Sequence, residues 1–425
     1  MRILLTGASG MIGQPLLTAL LDEGHHVLCA QRSPPARTHP RLTYVHADFA
    51  RDTRQADWQA RLRDVDAVIN TVGIFRQSAT QTFARVHTEA PCALFAACAA
   101  SDSVQLVIQL SALGADQGAN TAYHRSKKAA DDFLATLPLR AFIVQPSLVF
   151  GREGVSSRLF KTLASMPFTL RFGSAPQLVQ PIHLDDAVAA IVGLLRQPLP
   201  VGAGGTTARR IALVGPAPLP FVSYLDALRR GMGMGRLRAL RVPALVGRLA
   251  ASLGIGLLDR DALRMLERGN TADPDATCRL LGHAPRAPDT FIEFPSAERV
   301  QAKLGWLLPP LRLSVAFVWI ATAVVSAFFY PQELSYQLLE RSGVPAAYAS
   351  LMLYGACAFD LLMGLGILFV RRRRPLWYLQ LALIGFYTVV IAWKLPEFLV
   401  HPYGPLIKNI PMLAAIWLLA QFEEE

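Results

Sequence analysis

Charge is scarce in this chain. Of its 425 residues, 17% are charged and 52% hydrophobic, an apolar balance for a soluble protein. The shortage is uneven: residues 1–306 have the composition of an ordinary α/β enzyme, whereas 311–421 run apolar for long stretches. A net charge of +11 does not signal nucleic acid here. The densest basic run, Arg371 to Arg374, stands between two apolar segments, and the other arginines are scattered. Cysteine is sparse too. Cys29, Cys92, Cys98, Cys278 and Cys357 show neither a CxxC nor a Cys/His spacing, so no metal site is expected. They read as small core hydrophobes of a reducing compartment. No leader precedes the first strand, which predicts that this end stays in the cytoplasm.

What is present begins at once. Ile3-Leu4-Leu5 is a short apolar strand, followed by Thr6-Gly7-Ala8-Ser9-Gly10-Met11-Ile12-Gly13. From Gln14 to Glu23, Leu16, Leu17, Leu20 and Leu21 fall at helical spacing. Strand, glycine turn and helix form the context of a dinucleotide fingerprint. Gly7 permits the tight turn, Gly10 the approach of a pyrophosphate, and Gly13 close packing of helix on strand. Ser9, Met11 and Ile12 complete the candidate cofactor-binding turn, with phosphates on the free N–H groups of the helix start.

The second strand, His26 to Ala30, is followed by no Asp or Glu that would bond a ribose 2′-hydroxyl. Arg32 stands there instead, with Arg37 behind it, and a cation suits a 2′-phosphate. NADP(H) is therefore favoured over NAD(H). Asp48 and Phe49, after the strand Leu42 to His46, are placed for the adenine. Asn70, near the end of the strand Asp66 to Thr71, and Gly73, just after it, are placed for cofactor contact at a carboxyl strand end. Thr82 to Ala100 is an Ala-rich helix, and Gln105 to Leu110 a fifth strand ending at Ser111.

Tyr123-His124-Arg125-Ser126-Lys127 puts a phenol and an ammonium four residues apart, on one helical face. A neighbouring ammonium favours the phenolate, so Tyr123 is expected to be an acid/base group of lowered pKa. Ser111 would hold the reacting oxygen, and Lys127 would also hold the nicotinamide ribose.

TGASGMIG, Asn70, LSALGAD (110–116), YHRSK and QPSLVFG (145–151) together resemble the short-chain dehydrogenase/reductase superfamily. More narrowly, they resemble its extended or atypical members and the branch related to the NDUFA-nine-like accessory subunit of respiratory complex I. The run Gln180 to Ala187 fits the same pattern. The resemblance implies a Rossmann-like, doubly wound parallel sheet, NAD(P) binding that includes Pro146, and Ser/Tyr/Lys chemistry. It also implies that residues 197–306 form a small substrate-covering lobe after the 1–196 cofactor domain. There, a late strand over Arg210 to Gly215 returns to the sheet, and Pro220 to Arg230 and Val242 to Leu258 are helices. Residues that bind a sugar nucleotide are not recognisable. The lobe is apolar with scattered arginines, which favours an apolar small-molecule substrate or simply a small helical core.

Residues 307–425 predict an all-α four-helix transmembrane domain, with helices near 311–330, 347–370, 376–394 and 406–422. The segment resembles a DoxX-like membrane domain. With the N-terminal part in the cytoplasm, Arg371 to Arg374 follow the second crossing and obey the positive-inside rule. The tail Glu423-Glu424-Glu425 then returns inside, giving a multi-pass protein of the inner cell membrane. Asp360 lies within the second helix, where it would pair with Lys394 or Lys408, relay a proton or bond a neighbouring helix. The expected partners are the bilayer, the substrate and a further membrane protein. Two functions remain open: a membrane-anchored oxidoreductase, or an NADPH-binding redox-sensing or assembly protein without turnover.

Overall fold

The computed structural model describes residues 1–34, 38–172, 177–197, 207–242 and 260–423. Arg37, all of the expected helix over Val242 to Leu258 except Val242, and Glu424 and Glu425 lie outside the described residues; Val242 ends a short strand, Ala239–Val242. The chain divides into two compact units, Met1–Ala302 and Lys303–Glu425.

The first unit is built on seven strands: β1 Arg2–Thr6, β2 His26–Gln31, β3 Leu42–His46, β4 Ala67–Asn70, β5 Leu106–Leu110, β6 Arg140–Pro146 and β7 Thr207–Leu213. Their order is β7-β6-β5-β4-β1-β2-β3, and every pair is parallel. The late strand thus returns to the sheet beside β6. The chain reverses direction across the sheet between β1 and β4, and ligands bind at such a switch point.

Side-chain alternation sorts the strands into two cores. Ile3, Leu5, Ile69, Ile108 and Val144 face one side, where Leu16 and Leu20 of α1 (Gly13–Asp22) pack. Leu4, Val68, Val107 and Ile143 face the other, against Leu94 and Phe95 of α2 (Ala90–Ala99) and Ala130 and Leu134 of α3 (Ala122–Thr136). At its carboxyl end this second face turns polar. Thr6 donates to Asn70 Oδ1 at 2.6 Å, and Asn70 Nδ2 donates to Gln109 Oε1 at 2.7 Å. All three are fully buried.

The expected helix over Thr82 to Ala100 is interrupted. Ala84–Glu89 winds as a π-helix before α2, a local widening often found beside functional sites. A third core gathers Phe150, Phe160, Phe221, Tyr224 and Phe291, with Phe221–Gly231 as its central helix. Beside it Lys161 and Glu298, at 1% and 2% side-chain exposure, form an ion pair of 2.7 Å.

Among the described residues, three helices are long and apolar enough to cross a membrane: Pro295–Phe329, which runs from the first unit into the second, and Ala346–Phe369 and Arg374–Lys394 in the second. The fourth expected span is shorter. Asn409–Phe422 has 14 residues, about 21 Å at 1.5 Å per residue, against roughly 30 Å of hydrocarbon. A helix that the apolar pattern did not mark, Gln332–Arg341, lies between the first two spans; its sequence is too polar to register as a membrane segment. A Cβ on Gly364 would lie 2.5 Å from Ile320 Cγ1 and 3.1 Å from the Ala316 carbonyl, so the glycine lets two helices meet closely. Trp319 Nε1 donates to Gln380 Oε1 at 3.0 Å. Among the described residues, Asp360 forms no ion pair with Lys394 or Lys408. Lys394 Nζ lies beside Gly343, just before the helix that holds Asp360. Asp360 is 14 residues further into that helix, about 21 Å along it.

Candidate active site

The turn after β1 has the shape that the glycines foretell. Gly7 has φ +74°, and the Gly10 N–H donates to its carbonyl at 2.9 Å. A Cβ on Gly7 would stand 2.7 Å from Thr71 Oγ1, and one on Gly13 2.1 Å from the Gly7 carbonyl. The first turn of α1 has no side-chain cap and no acidic residue. Gln14 and Leu16 already donate to the Gly10 and Ile12 carbonyls, so among the described residues the N–H groups left for an anion are those of Met11, Ile12 and Gly13. Ser9 and Gly10 are exposed, and Met11 and Ile12 are half-buried. Ser9, Gly10 and Met11 line a cleft of about 1100 Å³, with Arg152, Gly154 and Asp185 among its other walls. The turn exists only because Gly7 and Gly13 lack a Cβ, the missing Cβ of Gly10 leaves its outer side open, and the cradle fits a pyrophosphate.

Arg32 is exposed just past β2, and no acidic side chain pairs with it among the described residues. Asp48 Oδ1 caps its own turn by accepting from the Ala50 N–H at 3.0 Å. Phe49 turns its ring into the core, 5.2 Å edge-on from Trp58. Asn70 departs from expectation: both ends of its amide are engaged inside the protein, by Thr6 and Gln109. Its strand-end position is right, but the pleat aims the side chain into the polar layer. Gly73 leaves room for the lysine, since a Cβ there would lie 3.2 Å from Lys127 Nζ. Pro146 ends β6, and its carbonyl accepts from the Leu113 N–H at 2.9 Å.

Tyr123 and Lys127 share the inner face of α3, which Thr121 caps through the His124 N–H at 3.2 Å. Lys127 is 3% exposed; its Nζ donates to the carbonyls of Val72 at 3.1 Å and Leu110 at 3.0 Å. The ammonium thus bridges the carboxyl ends of β4 and β5. Burial holds its pKa down to about 8, with the nearby Asp131 charge pulling the other way. Burial also pushes the Tyr123 phenol up from its usual value, and Asp131 adds to the rise. The expected lowering of this pKa is therefore reversed. The lysine charge is spent on two carbonyls, while the phenol ring is walled by Phe75, Phe83, His87 and His124.

Ser111 also departs from expectation. It is 4% exposed, and its hydroxyl donates to Asp131 Oδ2. Its proton is thus directed under the helix, not at a substrate oxygen. Asp131 is fully buried, and its pKa is lifted by burial to about 6, against the Ser111 hydrogen bond and the Lys127 charge. It was missed, although it stands four residues beyond Lys127 as Lys127 stands four beyond Tyr123. His87 is a second missed residue. It accepts from the Ile74 N–H at Nε2 (2.9 Å) and contacts Ser126 Oγ at 2.9 Å. Burial and the Lys127 charge hold its pKa down to about 2. A neutral ring with Nε2 accepting must donate from Nδ1.

A fingerprint turn at the switch point, with a Tyr/Lys helix across the same strand ends, defines a nucleotide-dependent Rossmann domain. Residues 3–206 match the NAD dependent epimerase/dehydratase family, and residues 316–417 the DoxX-like family. The chain carries an NAD-dependent epimerase/dehydratase domain followed by a DoxX-like domain. A ceramide reductase of Caulobacter vibrioides is 28% identical over 202 residues, covering 46% of this chain but only 62% of the relative. An epimerase family protein of Staphylococcus saprophyticus is 26% identical over 211 residues, 44% of this chain and 69% of the relative. Among solved structures, a nucleoside-diphosphate-sugar epimerase from Staphylococcus aureus shares the fold with a TM-score of 0.54 and 16% identity, over 69% of this chain and 100% of that one. A dTDP-glucose 4,6-dehydratase from Bacillus anthracis, in complex with NAD, does so with 0.51 and 14%, over 73% and 99%.

Proposed function

We propose that this chain is a membrane-anchored, NADP(H)-dependent oxidoreductase acting on a carbonyl or alcohol of an apolar, lipid-like or quinone-like substrate. The observation that carries the reading is the meeting of the glycine cradle, Tyr123 and Lys127 at one set of strand ends. The nicotinamide, when bound, supplies or takes the hydride. Gly7, Gly10, Gly13 and the N–H groups of Met11, Ile12 and Gly13 would hold the pyrophosphate, and Lys127 the ribose. Tyr123, protonated at neutral pH, gives its Oη proton to a carbonyl oxygen in the reducing direction. Phe75, Phe83 and His87 pack around that phenol ring. The partial likeness to a ceramide reductase is consistent with a lipid-like substrate. The test is NADPH oxidation by the purified full chain offered apolar ketones, quinones and sugar nucleotides in turn.

A second reading keeps the dinucleotide but not the turnover. It is favoured by the Ser111 hydroxyl, which Asp131 withholds from any substrate. The resemblance to the complex-I accessory branch fits this reading too. Tight NADPH binding that no carbonyl or quinone oxidises would select it.

Cofactor choice rests on Arg32. Arg32→Glu should weaken NADPH by at least tenfold and leave NADH within about twofold, since one charged hydrogen bond to phosphate contributes about 1.5–3 kcal/mol. Fluorescence titration with both nucleotides measures the ratio, and equal losses would remove the NADP preference. Lys127 gives a pH signature. Its ammonium persists below a pKa of about 8 and is lost above it. NADPH affinity should therefore fall as pH rises through about 8, and Lys127→Met should flatten that profile.

The proposed topology is an N-terminal unit and a C-terminus on the cytoplasmic face of the inner membrane. Arg371–Arg374 after the second span support it through the positive-inside rule. The return of the C-terminus is supported by Glu423, which accepts from Trp377 Nε1 at 3.2 Å and Arg312 at 3.3 Å. Arg312 and Trp377 sit at the starts of the first and third apolar segments, so these contacts gather on one face.

A further inference from the structure

Phe75 is out of place by ordinary rules of burial. It is 78% exposed, on the loop that leaves β4 beside the candidate active site. The loop that follows, Arg76 to Thr82, is polar, so Phe75 does not belong to a hydrophobic run. Nor is it a ring on an untethered tip. The Ile74 N–H before it is held by His87 Nε2 at 2.9 Å. After it, Gln77 Oε1 accepts from the Phe83 N–H at 2.9 Å, and the Ser78 N–H donates to the Gln81 carbonyl at 2.9 Å.

The ring is held in a definite place. It stacks on Tyr123 with centroids 5.3 Å apart and planes 14° from parallel. Phe83 meets the same tyrosine edge-on at 6.0 Å. The phenol therefore lies beside an aromatic wall, one side of which is open to solvent. A lone exposed ring is ordinary by itself; this one is singled out by its stack on the phenol that the proposed reaction uses, because ligand sites combine apolar walls with a few convergent polar groups.

We propose that Phe75, with Phe83 edge-on to the same tyrosine, is the wall that takes the hydrocarbon part of the substrate next to Tyr123. The substrate class is then a ketone, or its alcohol, carried on an apolar chain or ring. This rests on the oxidoreductase reading above. In the reducing direction, NADPH gives a hydride to the carbonyl carbon and becomes NADP⁺. Tyr123 gives a proton to the carbonyl oxygen and is reprotonated from solvent, leaving the alcohol.

The experiment uses the full chain in detergent, NADPH, and straight-chain methyl ketones of increasing length. Wild type should gain in kcat/KM with each methylene, up to about fourfold where the group is fully buried. Phe75→Ala should flatten that dependence, and Phe75→Leu should keep most of it. NADPH affinity and thermal midpoint should hold in both variants, because Phe75 is exposed. A chain-length dependence identical in wild type and Phe75→Ala overturns the proposal. Ketone binding is measured in parallel by displacement of an apolar fluorescent probe. If wild type turns over no ketone, the oxidoreductase reading falls. The wall still stands if long-ketone affinity drops at least fivefold in Phe75→Ala, and it falls if that affinity is unchanged.

Discussion

Replacing Tyr123 with phenylalanine should lower turnover by about 10²–10⁴, the usual contribution of a positioned acid or base. NADPH affinity should stay within about twofold. The two outcomes separate because the substitution removes one atom. The ring keeps its stack on Phe75 and its edge contacts with Phe83 and His87. Among the described residues, the phenol oxygen has no hydrogen-bond partner to lose, so the thermal midpoint should barely move. Burial favours the protonated phenol, which suits proton donation to a carbonyl. The reducing direction should therefore be the more active at neutral pH. Steady-state rates in both directions, with nucleotide titration of the same preparation, check all three expectations. Full activity in the phenylalanine variant would remove Tyr123 from the chemistry.

The elements of this site differ in how far residue order alone reveals them. The glycine turn is legible because each glycine answers a local backbone demand: Gly7 at φ +74°, and Gly13 against the Gly7 carbonyl. Tyr123 and Lys127 are legible as positions on a helix, but their pKa values are not. Those depend on what surrounds them, and Phe75, Phe83 and Asp131 come from other stretches or a later turn. Asn70 and Ser111 show the limit most clearly. A residue at a carboxyl strand end is near the cofactor crevice whichever way it points. Strand parity then puts Asn70 among Thr6 and Gln109, and Ser111 under α3. In the second unit, apolar length finds the three long helices but passes over Gln332–Arg341, whose polar composition hides its order.

Gly13→Ala should have a larger effect than Gly10→Ala, although both lie in one fingerprint. At Gly13 a methyl group would sit 2.1 Å from the Gly7 carbonyl oxygen and 2.9 Å from Ala8 Cα. Both obstacles are backbone, so no rotamer change relieves the contact. Either α1 moves off β1 or the turn opens. Overpacking of this kind costs about 1–3 kcal/mol or more, and any opening disperses the N–H groups that would face the pyrophosphate. NADPH binding should fall by at least 100-fold, with a drop in thermal midpoint of several degrees or loss of soluble yield. At Gly10 the methyl would meet only the Gly7 carbonyl, at 3.2 Å, and the residue is exposed. Gly10→Ala should fold with a nearly unchanged midpoint. Its defect should be confined to the nucleotide, because the methyl would stand in the cleft that Ser9 and Met11 line. Calorimetry of the two apo variants separates damage to packing from damage to binding, and titration with NADPH then measures the second. Equal midpoints for both variants would mean that α1 adjusts without cost, and that the third glycine does not set how helix and strand pack.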